Sequence, residues 1–201
     1  MPNEAAPGPP TTGRARNPHT HQAILNATVE LLAEIGYQEL SIERVASRAG
    51  VGKATIYRWW NSKSALVIEA MEHGMPLGTV PHTGDPRTDL RATIRAAVHT
   101  FASTPAGATV PALAADIPRE PATAELLREF LRPRRDAARE MLHNAAALGE
   151  LPADVDIETV IDVYVGAIFY RKLVRGIEID DVLVEQLVSL ILDGRAPRTQ
   201  A

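Results

Sequence analysis

Residues 41 to 63 read Ser41-Ile-Glu-Arg-Val-Ala-Ser-Arg-Ala-Gly-Val-Gly-Lys-Ala-Thr-Ile-Tyr-Arg-Trp-Trp-Asn-Ser-Lys63. The segment predicts a short helix, a tight turn and a second short helix. Ser41 is a good N-cap for the first helix, and Gly50 stands where that helix must stop, at a position that usually needs a positive φ. Val51 is the apolar residue that such a turn places between the two helices. This is the outline of a helix-turn-helix, whose second helix enters the major groove of DNA.

The second helix of this segment has one apolar face and several polar ones. Ile56 and Trp60 are four residues apart and are expected to point toward a core. The other faces carry side chains that suit phosphates and base edges: Lys53, Thr55, Tyr57, Arg58 and Trp59. Any surface helix has a polar face, so the pattern alone leaves an ordinary solvated face as the alternative.

Lys63 is a second indication of a nucleic-acid site. It falls in the first turn of the next helix, after a Ser62 or Asn61 cap, where a cation opposes the helix dipole. A lysine at a helix N-terminus, where the dipole disfavours positive charge, often marks a phosphate-binding site.

The adjacent Trp59 and Trp60 point about 100° apart, so both cannot be buried against one neighbour. The alternative for this pair is that one tryptophan only covers a surface groove.

Residues 19–71 resemble the N-terminal domain of the TetR/AcrR transcriptional regulators. The similarity runs from an amphipathic opening helix through Gly50-Val51 and Thr55-Ile-Tyr57 to Lys63 and Ala65-Leu66. Two positions depart from the family pattern. Gly52 stands where the family usually has a serine that caps the recognition helix, and Trp60 replaces the more common phenylalanine.

The resemblance implies roles for single residues. Thr55 and Tyr57 would contact phosphates, and Lys63 would contact the DNA backbone. The residues that would face the groove are Lys53, Ala54, Arg58 and Trp59. Ser41 matches a position that often touches a phosphate.

Composition and charge agree with an all-α DNA-binding protein. The 201-residue chain has few aromatic residues and no cysteine, which excludes disulfides and thiolate chemistry. The net charge is −4, yet residues 14–63 carry seven Lys and Arg against four Glu, while residues 76–201 carry fourteen against eighteen acids. A mildly basic head on an acidic body is typical of a sequence-specific regulator. No apolar run is long enough to span a bilayer, and the N-terminus lacks a signal peptide's apolar core, so we expect a cytoplasmic protein without a membrane partner.

Proline and glycine positions divide the chain. Residues 1–18 hold five prolines and two glycines and are expected to be a disordered arm. Residues 19–75 form the expected helix-turn-helix DNA-binding domain, and residues 76–194 the expected ligand-binding and dimerisation domain. A linker is predicted at residues 74–88, and residues 195–201 are expected to be a tail.

The predicted fold class is all-α, with an N-terminal three-helix helix-turn-helix domain, a C-terminal helical bundle and about nine helices in total, as in TetR. Outside the helix-turn-helix, helices are predicted at about residues 19–35, 63–73, 89–103, 107–115, a long stretch to 148 that Pro133 kinks or restarts, 157–175 and 180–192. In the fourth helix, Val67, Ile68 and Met71 are expected to contact the body and to couple it to the head.

The last two predicted helices carry more apolar surface than one pairing can bury. Residues 157–175 are apolar nearly all round, which requires burial of both faces. A four-helix interface with a second copy meets this requirement. The predicted interface residues are Val165, Phe169, Leu173, Leu183, Leu187, Leu190 and Ile191. The resemblance, carried here by Gly166-Ala-Ile-Phe-Tyr-Arg171, also implies dimerisation through these helices; a buried central helix in a monomer is the alternative.

Enzyme and metal motifs are absent from the sequence. Gly50-Val-Gly-Lys-Ala-Thr55 superficially looks like a phosphate loop, but Ser47 replaces its first glycine and Ala54 follows the lysine. His19 and His21 form a pair without a third ligand, so no metal and no cofactor are expected. Candidate pocket residues are the apolar or amphipathic helical positions His99, Phe101, Phe130, Met141, Tyr164 and Phe169. Core packing is the alternative for each of them.

We therefore expect a ligand-responsive repressor that acts as a homodimer on a palindromic double-stranded DNA operator, with an unidentified small molecule as its third partner. Two recognition helices must lie about 34–36 Å apart to meet successive major grooves, so a ligand that favours another spacing lowers the affinity for DNA. One alternative is a small-molecule binding protein or degenerate enzyme whose helix-turn-helix is only structural. Another is an activator on the same scaffold.

Overall fold

The computed structural model describes residues 18–74 and 82–194, and every regular element within them is helical. The helices are α1 (Pro18–Glu39), α2 (Ile42–Arg48), α3 (Lys53–Tyr57), α4 (Lys63–Gly74), α5 (Pro86–Ser103), α6 (Ala106–Asp116), α7 (Ala122–Ala147), α8 (Ile157–Phe169) and α9 (Asp181–Asp193). A π-helical segment, Tyr170–Val174, extends α8. The predicted all-α fold is confirmed. The predicted arm up to residue 17, residues 75–81 of the predicted linker and the predicted tail lie outside the described residues.

Helices α1 to α4 form the head, and its turns occur where the sequence predicts them. Gly36 interrupts α1 with a φ of 70°, so the helix loses its regular geometry at this residue. The Oγ of Ser41 accepts a hydrogen bond from the backbone N–H of Arg44 at 3.3 Å and caps α2. Gly50 has a φ of 66° between α2 and α3. Four side chains from α1 to α4 are fully buried at the centre of the head: Ile24, Val45, Ile56 and Leu66.

Helices α5 to α9 form the body, and two proline positions differ from the prediction. Pro86 belongs to the first turn of α5, whose N-cap Asp85 accepts hydrogen bonds from the N–H groups of Arg87 and Thr88. The predicted linker is therefore too long at its C-terminal end, because a proline in the first turn lacks only an N–H that the helix would leave unpaired. Pro133 lies inside α7, which runs from Ala122 to Ala147 as one helix.

The last helix packs inside the protomer. Helix α9 packs chiefly on α5, and α8 packs on α5 and α7. Arg91 of α5 holds α9 through Glu185, with 2.5 Å between Nε and Oε1. Leu183 and Leu187, predicted as dimer-interface residues, face inward and are buried in the protomer core; their contact with a second copy remains a prediction. The apolar face of α9 packs on α5. The spacing of apolar residues in α9 predicts such a face but does not predict which helix covers it.

Head and body contact each other along two helices of the head. Helix α1 packs on α6, and α4 packs on α7. Val67, Ile68 and Met71 of α4 are buried, as their predicted contacts require. No helix in the described part of the chain is long and apolar enough to cross a membrane.

Candidate DNA-binding surface and ligand pocket

The outer face of α3 is the exposed polar surface that the sequence predicts. Lys53, Ala54, Tyr57 and Arg58 are exposed, and 56% of Tyr57 is accessible to solvent. Ile56, on the opposite face, is fully buried and fixes the orientation of the helix. The two predicted phosphate contacts on this segment differ in exposure, since Thr55 is half-buried. Tyr57 thus lies on the exposed face of a five-residue helix, and Ile56 is the buried residue of that helix.

The cations of this surface differ in their surroundings. The Nζ of Lys53 lies 2.8 Å from Oε1 of Glu43 on α2. Their hydrogen bond raises the pKa of Lys53 and lowers the pKa of Glu43. Arg58 makes no ion pair with any residue of the described ranges. Lys53 must therefore leave a carboxylate to reach DNA, whereas Arg58 need not break such a pair.

The end of α3 is held by an aromatic cluster. The Nε1–H of Trp60 donates to Oε2 of Glu69 at 2.6 Å, and the Nε2 of His21 lies 2.9 Å from the other oxygen of this carboxylate. The His21 ring stacks on Trp60 with centroids 4.9 Å apart and contacts the Trp59 ring at 4.4 Å. Trp59 is consequently half-buried and packs against the core, so only part of its ring is accessible. In the sequence, His21 stands out only as half of a pair with His19; its contact with the tryptophans could not be predicted, because it comes from the start of α1.

Lys63 has partners inside the head. Its Nζ donates to the backbone oxygens of Tyr37 at 3.1 Å and Leu40 at 3.3 Å. It also lies 4.0 Å from the centre of the Tyr37 ring. Burial lowers the pKa of Lys63, against the attraction of Asp116 and Glu120. The ammonium group thus closes the end of α1, and its predicted contact with the DNA backbone remains a prediction.

A polar network joins head and body close to Lys63. The hydroxyl of Tyr37 donates to Oδ2 of Asp116 at 2.9 Å, and burial with this contact raises the pKa of Tyr37. The Oγ of Ser64 donates to Oε2 of Glu120 at 2.8 Å and accepts from Oγ1 of Thr123 at 3.1 Å. Ser64 and Thr123 are fully buried. The partners are too far apart in the chain for sequence patterns to pair them.

A cavity of about 350 Å³ lies between α5, α7, α8 and the end of α4. Four predicted pocket residues line it: His99, Phe101, Tyr164 and Phe169. Phe130 and Met141 do not line this cavity; both are buried in the core, and their contact with a ligand remains a prediction. Other lining residues are Gly74, Thr93, Ala96, Ala97, Thr100, Thr104, Leu131, Arg134, Arg135, Ala137, Ile161 and Val165. The cavity size is at the lower end of the roughly 300–1,000 Å³ that is usual for ligand pockets.

Two arginines of α7 line the cavity, and sequence reasoning missed both. The Nη1 of Arg134 donates to the backbone oxygen of Phe130 at 3.0 Å, and its guanidinium lies 4.5 Å from the centre of the Phe130 ring. Burial lowers the pKa of Arg134. The neighbouring Arg135 pairs with Glu158 at 2.6 Å and with Asp162 at 3.1 Å. An apolar pattern does not indicate either arginine, although Arg134 lies one helical turn from Phe130.

A stripe of apolar or small residues on α8 and its π-helical extension faces away from the protomer. It consists of the exposed residues Val163, Gly166, Tyr170 and Val174 and is called the α8 stripe below. Of the predicted interface residues, Leu173 is also exposed. Val165 and Phe169 line the cavity instead, and Leu190 and Ile191 are half-buried. The exposed face of α8 and its extension thus lies about one position further along the chain than Val165 and Phe169, and the dimer interface remains a prediction.

No three His, Cys, Asp or Glu side chains in the described ranges form a group that could hold a metal ion.

Comparison with known proteins finds two family models. Residues 24–70 match the model described as bacterial regulatory proteins, tetR family, and residues 80–191 match the tetracyclin repressor-like C-terminal domain. The chain is 36% identical over 184 residues to the uncharacterized HTH-type transcriptional regulator YdeS of Bacillus subtilis, which covers 90% of this chain and 92% of the relative. It is 31% identical over 185 residues to the DNA-binding transcriptional repressor TetR of Mycobacteroides abscessus, covering 89% and 94%. The crystal structure of the TetR family transcription regulator SCO0332 aligns with a TM-score of 0.70 at 36% identity, over 89% of this chain and 100% of that one.

Proposed function

Because the chain belongs to the tetR family of bacterial regulatory proteins, we propose that it is a repressor that binds a palindromic operator as a homodimer and leaves it when a small molecule enters the body. Repression is extended to this chain from the Mycobacteroides abscessus relative, whose name describes a DNA-binding transcriptional repressor. Residues 19–75 would form the DNA-binding domain, and residues 76–194 would form the ligand-binding and dimerisation domain.

The contacts at the two ends of α4 support a response to a ligand. The helix begins with Lys63, which is bonded to the end of α1, and ends with Gly74, which lines the cavity. A Cβ added to Gly74 would meet Cγ2 of Val29 on α1 at 3.0 Å, so this end of α4 is packed tightly on α1. A molecule in the cavity therefore touches the helix that supports the head. A ligand that favours another spacing of the two α3 helices lowers operator affinity through linkage.

The DNA contacts follow from the exposure of α3 and its neighbours. Tyr57, Thr55 and Ser41 are proposed to contact phosphates. The groove is proposed to be contacted by Lys53, Ala54, Arg58 and the accessible part of Trp59. Lys63 is proposed to contact the backbone, which requires its ammonium to turn away from the carbonyls that it now binds.

Dimerisation is proposed through the α8 stripe. Its members are spaced as a surface helix spaces the residues of one face, and Gly166 at its centre permits close approach of a second helix. Leu173 extends this apolar surface. This set replaces the inward-facing Leu183 and Leu187 of the original expectation.

The DNA-binding surface is tested by Tyr57→Phe with Ser103→Ala as the control. Both residues are exposed, and each substitution removes one hydroxyl group. Operator duplexes are selected from a random pool with the wild-type protein and used in binding titrations. We expect Tyr57→Phe to weaken operator binding by roughly tenfold, because one hydrogen bond to a charged phosphate is lost, and Ser103→Ala to bind as the wild type does.

Two results would contradict this proposal. Equal operator affinity of Tyr57→Phe and wild type would remove α3 from the phosphate contacts. A wild-type protein that selects no duplex, and whose weak binding does not depend on salt, would refute operator binding altogether.

A further inference from the structure

The charged side chains in the cavity wall are already bonded to other groups of the protein. Arg135 pairs with Glu158 and Asp162 of α8. Arg134 donates to the backbone oxygen of Phe130. Among the lining residues that the structure describes there is neither Asp nor Glu. The wall therefore offers a cationic ligand no carboxylate, and an anionic ligand would have to take a guanidinium from its present partners.

The three threonines that line the cavity are also committed. Their hydroxyls donate to backbone oxygens one helical turn earlier: Thr93 to Asp89 at 2.8 Å, Thr100 to Ala96 at 2.9 Å, and Thr104 to Thr100 at 2.5 Å. A threonine hydroxyl has a single proton, so none of the three has a second one to donate to a ligand.

Tyr164 differs from these groups. Only 3% of its surface is exposed, and its hydroxyl makes no hydrogen bond with any residue of the described ranges. Every fully enclosed side-chain oxygen or nitrogen in those ranges has a partner, so this hydroxyl is not enclosed and opens onto the cavity that Tyr164 lines. Burial raises the pKa of Tyr164 to about 12, against the opposing charge of Arg135, so the hydroxyl keeps its proton at neutral pH. His99 also lines the cavity, but it is exposed and its ring can bond to water.

The surroundings of the Tyr164 hydroxyl are apolar. Ile161 and Val165 line the cavity on the same helix, and Phe101 and Phe169 contact each other there with ring centroids 4.4 Å apart. A ligand that covered the hydroxyl without offering it an acceptor would leave a donor unpaired in an apolar site, which lowers the affinity.

We infer that the cavity binds a small, neutral and largely apolar molecule with one hydrogen-bond acceptor, such as a ketone, and that the Tyr164 hydroxyl donates to this acceptor. The apolar part of the molecule lies against Phe101 and Phe169. The inference deepens the proposed function and rests on it for the effect on DNA. A site with one buried donor discriminates against an analogue that lacks the acceptor, because the analogue buries this donor unpaired.

The experiment uses the phenones from acetophenone to hexanophenone, each with the alkylbenzene of the same carbon number, together with phenylbutyrate and phenylbutylamine. Binding to the full-length protein is measured by calorimetry, and binding of the poorly soluble hydrocarbons by competition with the tightest phenone. We expect at least one phenone to bind, and the acid and the amine to bind roughly tenfold or more weakly than the tightest phenone, because each must bury a charge.

Tyr164→Phe locates the acceptor. This variant loses only an unbonded hydroxyl and should fold as the wild type does. It should bind the tightest phenone about threefold to tenfold more weakly, as the loss of a neutral hydrogen bond predicts, and bind the matching alkylbenzene as well as before or better. A purely structural role of Tyr164 would change both affinities alike.

Ser103→Ala is the control for this variant. Ser103 lies on α5, is exposed and does not line the cavity, and its substitution also removes one hydroxyl. It should bind each compound as the wild type does.

Any of three results would overturn the inference: no phenone binds, the acid or the amine binds as tightly as the tightest phenone, or the ratio of phenone to alkylbenzene affinity is the same in wild type and in Tyr164→Phe that is folded by circular dichroism. Operator binding is measured on the same preparations. If operator binding is intact and one of these results is obtained, only the ligand class is wrong. If a phenone binds through Tyr164 but does not release the operator, the ligand class holds and the ligand-responsive part of the proposed function fails.

Discussion

Gly50 and Gly52 lie two residues apart before α3, but their φ angles have opposite signs, 66° at Gly50 and −77° at Gly52. A Cβ would meet no atom within 4 Å at either position. Only the backbone conformation therefore distinguishes the two sites. Gly52 is the N-cap of α3 and supplies no side-chain hydrogen bond, as its departure from the family pattern predicts.

Substitution at these glycines should have opposite effects on stability. Gly50→Ala should lower the free energy of unfolding by about 1 kcal/mol, because a side chain is strained at positive φ. Gly52→Ser should raise it by a few tenths of a kcal/mol, since serine can cap the N–H groups of α3. Urea denaturation measures both. A neutral Gly50→Ala would contradict the described turn.

Lys63 has two possible roles that one variant can separate. Lys63→Ala removes hydrogen bonds from a charged donor to two backbone oxygens, so we expect the free energy of unfolding to fall by about 1–2 kcal/mol. If the ammonium also contacts DNA, the salt dependence of operator binding should decrease by about one counterion per subunit. A loss of stability with an unchanged salt slope would show that Lys63 only supports the end of α1.

At the scale of helices, α8 and α9 show that an apolar period does not say which partner covers a face. Leu187 has 4% of its surface exposed and packs within the protomer, while Val163 on the α8 stripe has 42% exposed. Both are apolar residues at helical spacing in the last third of the chain. Their surroundings predict different consequences of the same substitution.

Val163→Glu and Leu187→Glu form the corresponding test. Val163→Glu should yield a folded monomer, because a charge on the stripe opposes a second copy without disturbing the protomer. Leu187→Glu should lower the free energy of unfolding by about 3 kcal/mol or more, or prevent folding, because it buries an unpaired charge. Sedimentation and circular dichroism distinguish the two. A wild-type protein that sediments as a monomer at micromolar concentration would contradict the proposed dimer.

At the scale of the whole molecule, coupling between head and body depends on the junction. A polar substitution at Val67, Ile68 or Met71 would be expected to unfold the protein, since all three are buried, and would not isolate coupling. The polar network offers a milder change. Tyr37→Phe removes the hydrogen bond to Asp116 and keeps the ring that covers Lys63.

We expect Tyr37→Phe to bind the operator within about threefold of the wild type and to change the ligand's effect on operator affinity by about 1 kcal/mol or more. The measurement is operator affinity with and without a compound that binds the protein and raises its melting temperature, in both proteins. Identical release in Tyr37→Phe and wild type would exclude this bond from the coupling.

The turn and caps of the head, the all-α fold and the family could be predicted from the sequence alone. Ser41 and Gly50 act on backbone groups a few residues away, so neighbouring residues in the sequence are enough to predict this local geometry. The cavity arginine Arg134, the inward position of Lys63 and the burial of Leu187 could not be predicted in this way. Each depends on which distant helix lies opposite, and a helical period gives the face of a residue without the identity of its partner. Packing of α4, α5, α7 and α8 against one another therefore decided where the pocket lies and which apolar face stays exposed.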